Sequence, residues 1–170
     1  MPLGTAYPTQ NCPVARSLEV VGERWTLLIV RDLFYGVRRF NDFSKHLSIP
    51  TAVLSARLEH LIAEGVVVRT PGRAGSAREE YELTPRGESL WPVVWSLIVW
   101  GNGEVPTASR RITEHALCGT PLDAAGFCAT CGVTPGPRDI LLPARDAAGM
   151  TDPVSLAMTR PHRLLEPLAV

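Results

Sequence analysis

The order of apolar repeats between residues 12 and 100 constrains the fold more than any other feature of this sequence. Four short segments before residue 65 carry apolar residues at helical spacing. The period then changes: residues 66–69 are mostly β-branched and residues 80–83 alternate polar with apolar, which predicts two strands around a turn-rich loop. Thr84 and Pro85 are typical of a helix start, and this last helix is predicted to reach Trp100 with a kink at Pro92.

The third and fourth predicted helices, at residues 39–47 and 51–64, are separated by a tight turn, with Thr51 expected to cap the second of them. Two such helices form a helix-turn-helix, and the following hairpin makes it winged. The predicted fold class is mainly α with a small β-hairpin. It comprises a winged helix-turn-helix domain with a C-terminal dimerisation helix and a small appendage, zinc-ribbon-like and otherwise irregular.

The chain divides near Gly101, because eight of its fifteen prolines lie in the last 70 residues and exclude long helices there. We therefore expect a domain at residues 11–101 and a proline-rich appendage at 102–170. No apolar run is long enough for a membrane span, and the first residues do not resemble a signal peptide, which predicts a cytoplasmic protein without a membrane partner. The zero formal net charge excludes a strongly basic tail but not a local basic patch.

The fourth helix is predicted to read DNA with its outer face. On a helical wheel Leu54, Leu58 and Leu61 turn inward, which leaves small side chains opposite them. Small residues let the backbone approach base edges, and hydroxyls can bond to bases or phosphates. The candidate contacts are Thr51, Ala52, Val53 and Ser55, with Arg57 nearer the edge of the buried stripe.

Local charge favours this interpretation over a merely solvated helix face. Residues 36–78 carry seven basic and three acidic side chains, a net charge of +4 in a chain whose total is zero. Cations on either side of a groove would meet phosphates. The candidates are Arg38, Arg39, Lys45, Arg73 and Arg78. A winged helix that binds another protein instead of DNA is the alternative, and no motif of a hydrolase, metalloprotease or nucleotide-binding enzyme occurs.

Five motifs follow one another along the chain: CPVA at 12–15, GERWTLLI at 22–29, RFNDF at 39–43, IPTAVLSARL at 49–58 and YELTPRG at 81–87. Together they resemble the HxlR family of bacterial winged-helix transcription regulators, over about residues 11–101. The resemblance implies a homodimer that binds an inverted repeat in double-stranded DNA and represses or activates nearby genes. The family often carries lysine or asparagine near Ala52, where this chain has only a methyl group.

The last helix is apolar on two faces, which predicts a dimer interface. One stripe comprises Leu90, Val93, Val94 and Leu97. The second comprises Trp91, Trp95 and Ile98, and two exposed tryptophans would be costly for a monomer. We expect this second stripe to pack against another subunit; the alternative is that the appendage covers it within one chain.

Four residues of the appendage are spaced like zinc ligands. His115 and Cys118 form one H-x2-C turn, and Cys128 and Cys131 form a C-x2-C turn, with glycine after Cys118 and Cys131. Two such knuckles complete a tetrahedral Cys3His set, which suits structural zinc and leaves no open catalytic position. Buried free cysteines with a surface histidine, or a redox pair formed by the last two cysteines, are the alternatives.

Two signals for regulation are expected. Cys12 precedes the first helix, where the helix dipole lowers a thiol pKa, and some HxlR-like regulators sense oxidants through a cysteine at the matching position. A small, buried, inert thiol is the alternative. A small-molecule effector could also bind between the DNA domain and the dimer helix, with Tyr35, Trp91 and Trp95 as candidate lining residues.

Overall fold

The computed structural model describes residues 7–72, 78–106 and 110–170. The first part of the chain contains six helices and one hairpin in the described ranges: α1 (Pro13–Val21), α2 (Thr26–Phe34), α3 (Phe40–Leu47), α4 (Thr51–Ala63), β1 (Val67–Pro71), β2 (Glu79–Leu83), α5 (Pro85–Glu88) and α6 (Trp91–Gly101). The strands pair antiparallel from Val67 opposite Leu83 to Pro71 opposite Glu79. The predicted order of helices and hairpin is confirmed.

The remaining part is irregular apart from short elements. It contains β3 (Glu114–His115), a single 3-10 turn (Pro137–Asp139), β4 (Ile140–Leu142), α7 (Pro153–Ala157) and β5 (His162–Arg163). The strands form one antiparallel sheet in the order β3-β4-β5. Among the described residues no helix combines the length and the apolar character needed to cross a bilayer.

The centre of the molecule is α2, whose Ile29, Val30, Leu33 and Phe34 have no solvent exposure. Each such burial contributes about 1.5–3 kcal/mol relative to an exposed side chain. The same apolar cluster contains Ile140, Leu142, Val154, Met158 and Leu164 from the C-terminal segment. The composition changes near Gly101, but the hydrophobic core continues across that boundary.

The turn between α3 and α4 differs from the prediction at one residue. Ser48 ends α3 in the left-handed conformation, with φ of 49°. Pro50, not Thr51, precedes α4 as its N-cap, and its carbonyl accepts the first helical bond from the N–H of Leu54 at 3.0 Å. The predicted Thr51 cap is therefore wrong: Thr51 is already the first helical residue, and no side chain caps this helix.

A three-residue linker joins α4 to the hairpin. The N–H groups of Glu64, Gly65 and Val66 donate to the carbonyl oxygens of His60, Ile62 and Leu61, respectively. Because the linker closes onto the last turn of α4, helix and hairpin are held in a fixed relation. The tip of the hairpin, including the predicted phosphate contact Arg73, lies outside the described residues.

The helix predicted from Thr84 to Trp100 is broken rather than kinked. Thr84 caps α5 as expected, because its Oγ1 accepts a hydrogen bond from the N–H of Gly87 at 3.2 Å. The helix ends at Glu88 and α6 begins at Trp91. Pro92 explains the break: proline has no N–H to donate, and its ring clashes with the carbonyl four residues earlier, which belongs to Glu88.

The last residues of the chain dock on the end of α2. The N–H groups of Leu165 and Leu168 donate to the carbonyl oxygens of Phe34 at 2.7 Å and Gly36 at 2.9 Å. Gly36 has φ of +86°, and a Cβ there would lie 1.9 Å from the carbonyl oxygen of Glu166. Only glycine permits this approach of the tail.

Replacing Gly36 with alanine should lower the free energy of unfolding by about 2 kcal/mol or more, because the left-handed backbone and the clash with the tail both oppose a side chain. Urea unfolding followed by circular dichroism measures this difference. Gly136→Ala is the matched control: its φ is −70° and a Cβ there meets open space. Equal stability of the two variants would contradict the tail's close packing.

Candidate nucleic-acid interface and metal centre

The outer face of α4 agrees with the helical wheel except at Val53, which was predicted to face outward and instead packs partly against the core. Leu54, Leu58 and Leu61 are buried. The exposed residues of this helix are Thr51, Ala52, Ser55, Ala56, Glu59 and Ala63. The predicted contacts Val53 and Arg57 are half-buried at the edges of the buried stripe. The N-terminal half of α4 therefore presents methyl and hydroxyl groups to solvent, with no bulky side chain in front of the backbone.

Three of the predicted phosphate contacts lie around one cleft between α3 and the hairpin. Arg39, Lys45 and Arg78 all line it, together with Asp42 and Glu79. Each of these three cationic residues is exposed. The Nε of Arg39 lies 3.6 Å from a carboxylate oxygen of the buried Glu80, which holds the guanidinium beside the second strand. The cleft combines a local positive charge with open access.

Arg38 does not belong to this surface, contrary to the prediction. The residue is only 7% exposed. Its Nη1 donates to the carbonyl of Leu33 at 2.8 Å, and its Nη2 donates to the carbonyl of Leu165 at 2.7 Å. The guanidinium thus joins α2 to the C-terminal tail and cannot meet a phosphate in this structure. The sequence gives no local sign of this, since the two partners of Arg38 lie far apart along the chain.

The tryptophan stripe of α6, predicted as a dimer interface, is partly covered by other segments of the same chain. Trp91 is 7% exposed and contacts Phe34 edge-to-face, with ring centroids 5.1 Å apart. Trp95 is half-buried, and its Nε1 donates to the carbonyl of Ala124 at 3.1 Å. Ile98 packs against the same core. Trp91 is too deeply buried to meet a second subunit, contrary to the expectation, whereas an interface through the partly buried Trp95 and Ile98 stays a prediction.

A different row of α6 is exposed instead. Val93 is 44% exposed, Leu97 is 46% exposed and Trp100 is 72% exposed, at the helical spacing i, i+4 and i+7. On α1, Val14 and Leu18 are exposed as well. Val93 and Leu97 belong to the first apolar stripe predicted from the sequence, whereas Val94 of that stripe is buried.

The four predicted metal ligands come together. One potential donor atom from each of His115, Cys118, Cys128 and Cys131 lies within 4.8 Å of all the others. The Sγ of Cys118 is 3.6 Å from the Nδ1 of His115 and 3.5 Å from the Sγ of Cys128. Gly119 and Gly132, which follow the two knuckles, have φ of +69° and +68°, the left-handed conformation expected after each turn.

The cluster already favours a thiolate at neutral pH. Hydrogen bonding with Thr120 lowers the pKa of Cys118 to about 6. The pKa of Cys131 is raised to about 11, mainly by its hydrogen bond with Cys118 and further by burial. Three thiols and an imidazole so close together form a donor set that suits a thiophilic, tetrahedral cation, because a cation would displace the remaining thiol protons.

The predicted regulatory residues lie in separate places. Cys12 is half-buried and immediately precedes α1, with the extended backbone of an N-cap; its role as a sensor stays a prediction. Tyr35 lines one cavity, beside the end of α6. Trp91 and Trp95 line another, between α6 and the loop that joins the two knuckles. The single effector pocket expected from the sequence is thus two distinct cavities.

This fold, with an exposed recognition helix, a basic cleft and a hairpin behind it, is that of the winged helix-turn-helix proteins. Residues 20–109 match the family described as HxlR-like helix-turn-helix. The chain belongs to this family. It is 40% identical over 133 residues to the uncharacterised HTH-type transcriptional regulator Rv3095 of Mycobacterium tuberculosis, covering 73% of this chain and 84% of the relative.

Other relatives agree with this assignment. YybR of Bacillus subtilis, also an uncharacterised HTH-type transcriptional regulator, is 34% identical over 97 residues, 56% of this chain and 78% of the relative. The solved structure of PA1607, assigned as a transcription factor, matches with a TM-score of 0.62 and 38% identity, covering 73% of this chain and 88% of that chain. The redox regulator HypR in its oxidised form matches with a TM-score of 0.51 and 32% identity, over 56% and 99% of the two chains. The protein is a transcriptional regulator of this family.

Proposed function

We propose that the protein binds an inverted repeat in double-stranded DNA as a homodimer, with α4 of each subunit in the major groove. The exposed methyl and hydroxyl groups of Thr51, Ala52 and Ser55 are the observation that carries this proposal. Val53 and Arg57, at the edges of the same face, are proposed as further DNA contacts. Methyl groups fit the thymine methyl, and hydroxyls can bond to bases or phosphates.

The phosphate contacts of this proposal come from the basic cleft. Arg39, Lys45 and Arg78 are exposed around it and lie between α3 and the hairpin, where the backbone beside an occupied groove would pass. Arg73, near the tip of the hairpin, is proposed as a fourth contact on sequence alone. Arg38 is left out, because its guanidinium is occupied inside the protein.

Replacing Ala52 with glutamate should weaken DNA binding at least about 100-fold, because a carboxylate would face the phosphates and bases at the centre of the contact. Fluorescence anisotropy with a duplex selected from a random-sequence library measures the affinity. Ala63→Glu, the same change at an exposed site at the far end of α4, should bind within about threefold of the unchanged protein.

Salt dependence separates DNA binding from the alternative of a protein-binding winged helix. Binding through phosphates should fall with salt, with a log–log slope of about −0.9 per contact. Failure of the folded, unchanged protein to bind any selected duplex at low salt would favour the protein-binding alternative.

We infer that the homodimer forms through the exposed row of α6. Val93, Leu97 and Trp100 would each lose water-exposed apolar surface in such a contact. A two-fold axis between the subunits would also match the symmetry of an inverted repeat.

The variant Leu97→Glu should sediment as a monomer at micromolar concentration, because a carboxylate in the centre of the row would be desolvated by dimerisation. Leu156→Glu is the control, since Leu156 on the C-terminal segment is 43% exposed, close to the 46% of Leu97, and this variant should remain dimeric. Dimers in both variants, by sedimentation velocity, would exclude this face as the interface.

We also propose that His115, Cys118, Cys128 and Cys131 hold a structural zinc ion. Their donor chemistry and their mutual distances support it. The ion would be closed to substrate by its four protein ligands. It would fix the loop between the knuckles, whose Ala124 carbonyl accepts the indole hydrogen bond of Trp95.

Metal analysis of protein purified without chelators should give one zinc per subunit. Cys128→Ser should lose this zinc and shift the tryptophan emission to longer wavelength, since the loop over Trp95 is no longer held. Cys12→Ser should keep the zinc, because Cys12 is outside the cluster. Wild-type protein without stoichiometric zinc would disprove the site.

A redox response through Cys12 is proposed on its position before α1 and on the similarity to the redox regulator HypR. If the Cys12→Ser variant released DNA on oxidation to the same extent as the wild type, a sensor role of Cys12 would be disproved. We also propose that a small-molecule effector regulates the protein.

A further inference from the structure

A cavity of about 390 Å³ lies where the winged-helix part meets the C-terminal segment. Arg31 of α2, Tyr35 at the end of that helix and His46 of α3 line it. Ile98 at the end of α6 contributes an apolar wall. Arg111 and Arg145 enter from the C-terminal segment. Three guanidinium groups from distant parts of the sequence thus share one cavity.

Two of these cations have no carboxylate partner. Arg31 is neutralised, because its Nη2 lies 2.7 Å from the buried Asp32, which also bonds to His46 at 2.8 Å. No carboxylate oxygen lies within 4.0 Å of the guanidinium of Arg111 or Arg145 among the described residues. The residues outside the described ranges contain no aspartate or glutamate that could supply one.

Contacts with Tyr35 and Asn102 hold Arg111 in place at the cavity. The guanidinium of Arg111 lies over the ring of Tyr35, 5.1 Å from its centroid. The side chain of Asn102 accepts a hydrogen bond from the N–H of Arg111 at 2.9 Å and donates to its carbonyl at 3.1 Å. Burial, and then the charge of Arg111, lower the pKa of Arg145. Arg111 and Arg145 both line this cavity, so one ligand bound there can meet both side chains.

Other charges near the cavity do not cancel them. The C-terminal end of α6 lies there, but its dipole supplies only about half a negative charge. Asp32 is already shared by Arg31 and His46. Asp152 accepts a hydrogen bond from the N–H of Ser155 at 2.9 Å, and it forms no ion pair within 4.0 Å with Arg111 or Arg145. A net positive charge remains on the wall formed by Arg111 and Arg145.

The lining of the cavity also has an apolar part, which comprises Ile98, Val105 and Met158. A ligand that fits both parts has an anionic head and a short apolar body. We propose that this cavity is a binding site for a small organic carboxylate, whose head pairs with Arg111 and Arg145 and whose body packs on the apolar wall. Two guanidinium forks match a carboxylate in geometry as well as in charge.

The cavity borders helices that take part in the proposed binding of DNA. Ligand binding itself does not depend on that proposed function, but the effect of the ligand on DNA binding does. His46 belongs to α3, the first helix of the helix-turn-helix, and α3 packs on α7, beside Met158. Ile98 belongs to α6, whose exposed row carries the proposed dimer contact. An occupied cavity would change how these helices pack, and hence the separation of the two α4 helices in a dimer.

Isothermal titration of the full chain with acetate, hexanoate, benzoate and neutral benzamide tests the site. We expect benzoate or hexanoate to bind once per subunit, at least tenfold more tightly than acetate, and benzoate at least tenfold more tightly than benzamide. Arg111→Gln and Arg145→Gln should each weaken the carboxylate at least tenfold. Arg160→Gln, at an exposed arginine outside the cavity, should bind as the wild type does.

Three results would overturn the inference. They are equal affinity for benzamide and benzoate, unchanged affinity in both cavity variants, and no saturable binding of any of the three carboxylates. Thermal unfolding of each variant confirms that it is folded. Because titration involves no DNA, a negative result leaves the proposed DNA binding intact, and failure to bind DNA leaves a positive titration intact.

Discussion

The attachment of the C-terminal tail to the end of α2 determines most of what the rest of the molecule exposes. Backbone hydrogen bonds to Phe34 and Gly36, and the guanidinium of Arg38 on the carbonyl of Leu165, fix this contact. Since α2 is the centre of the core, the segment attached to it becomes part of that core. One consequence is that Arg38 is no longer available at the surface. Another is that Trp91 is an interior residue, so α6 presents a different row to solvent.

The elements of the winged-helix part could be predicted from sequence because their signals are local. Apolar period, glycine stops and the Thr84 cap specify the helices within a few residues, and the inward leucines of α4 specify its outer face. The knuckles were predictable for the same reason, since the spacing within each turn brings two ligands together. The errors at Thr51 and Pro92 were also local: a proline took the capping position, and the other proline ended α5 instead of bending a longer helix.

Contacts between distant segments could not be predicted. The sequence shows that α6 is apolar on two faces, but the choice of face depends on where the loop between the knuckles lies, and Ala124 reaches Trp95 from 29 residues away. The cavity with three arginines is a stronger example. Arg31 and Arg145 are 114 positions apart, and each in isolation is an ordinary surface residue type. Only the docking of the tail and of α7 brings these arginines together, so no sequence motif predicts the site.

The short linker between α4 and the hairpin has a consequence for the proposed complex with DNA. Its three N–H groups all bond back into the last turn of α4, which fixes the recognition helix relative to the start of the hairpin. A recognition helix held in this way cannot move independently of the hairpin, so the duplex must deform to fit the protein. Bending or narrowing a duplex costs energy that depends on how stiff its base steps are. Binding sites would then be ranked partly by base pairs that no side chain touches.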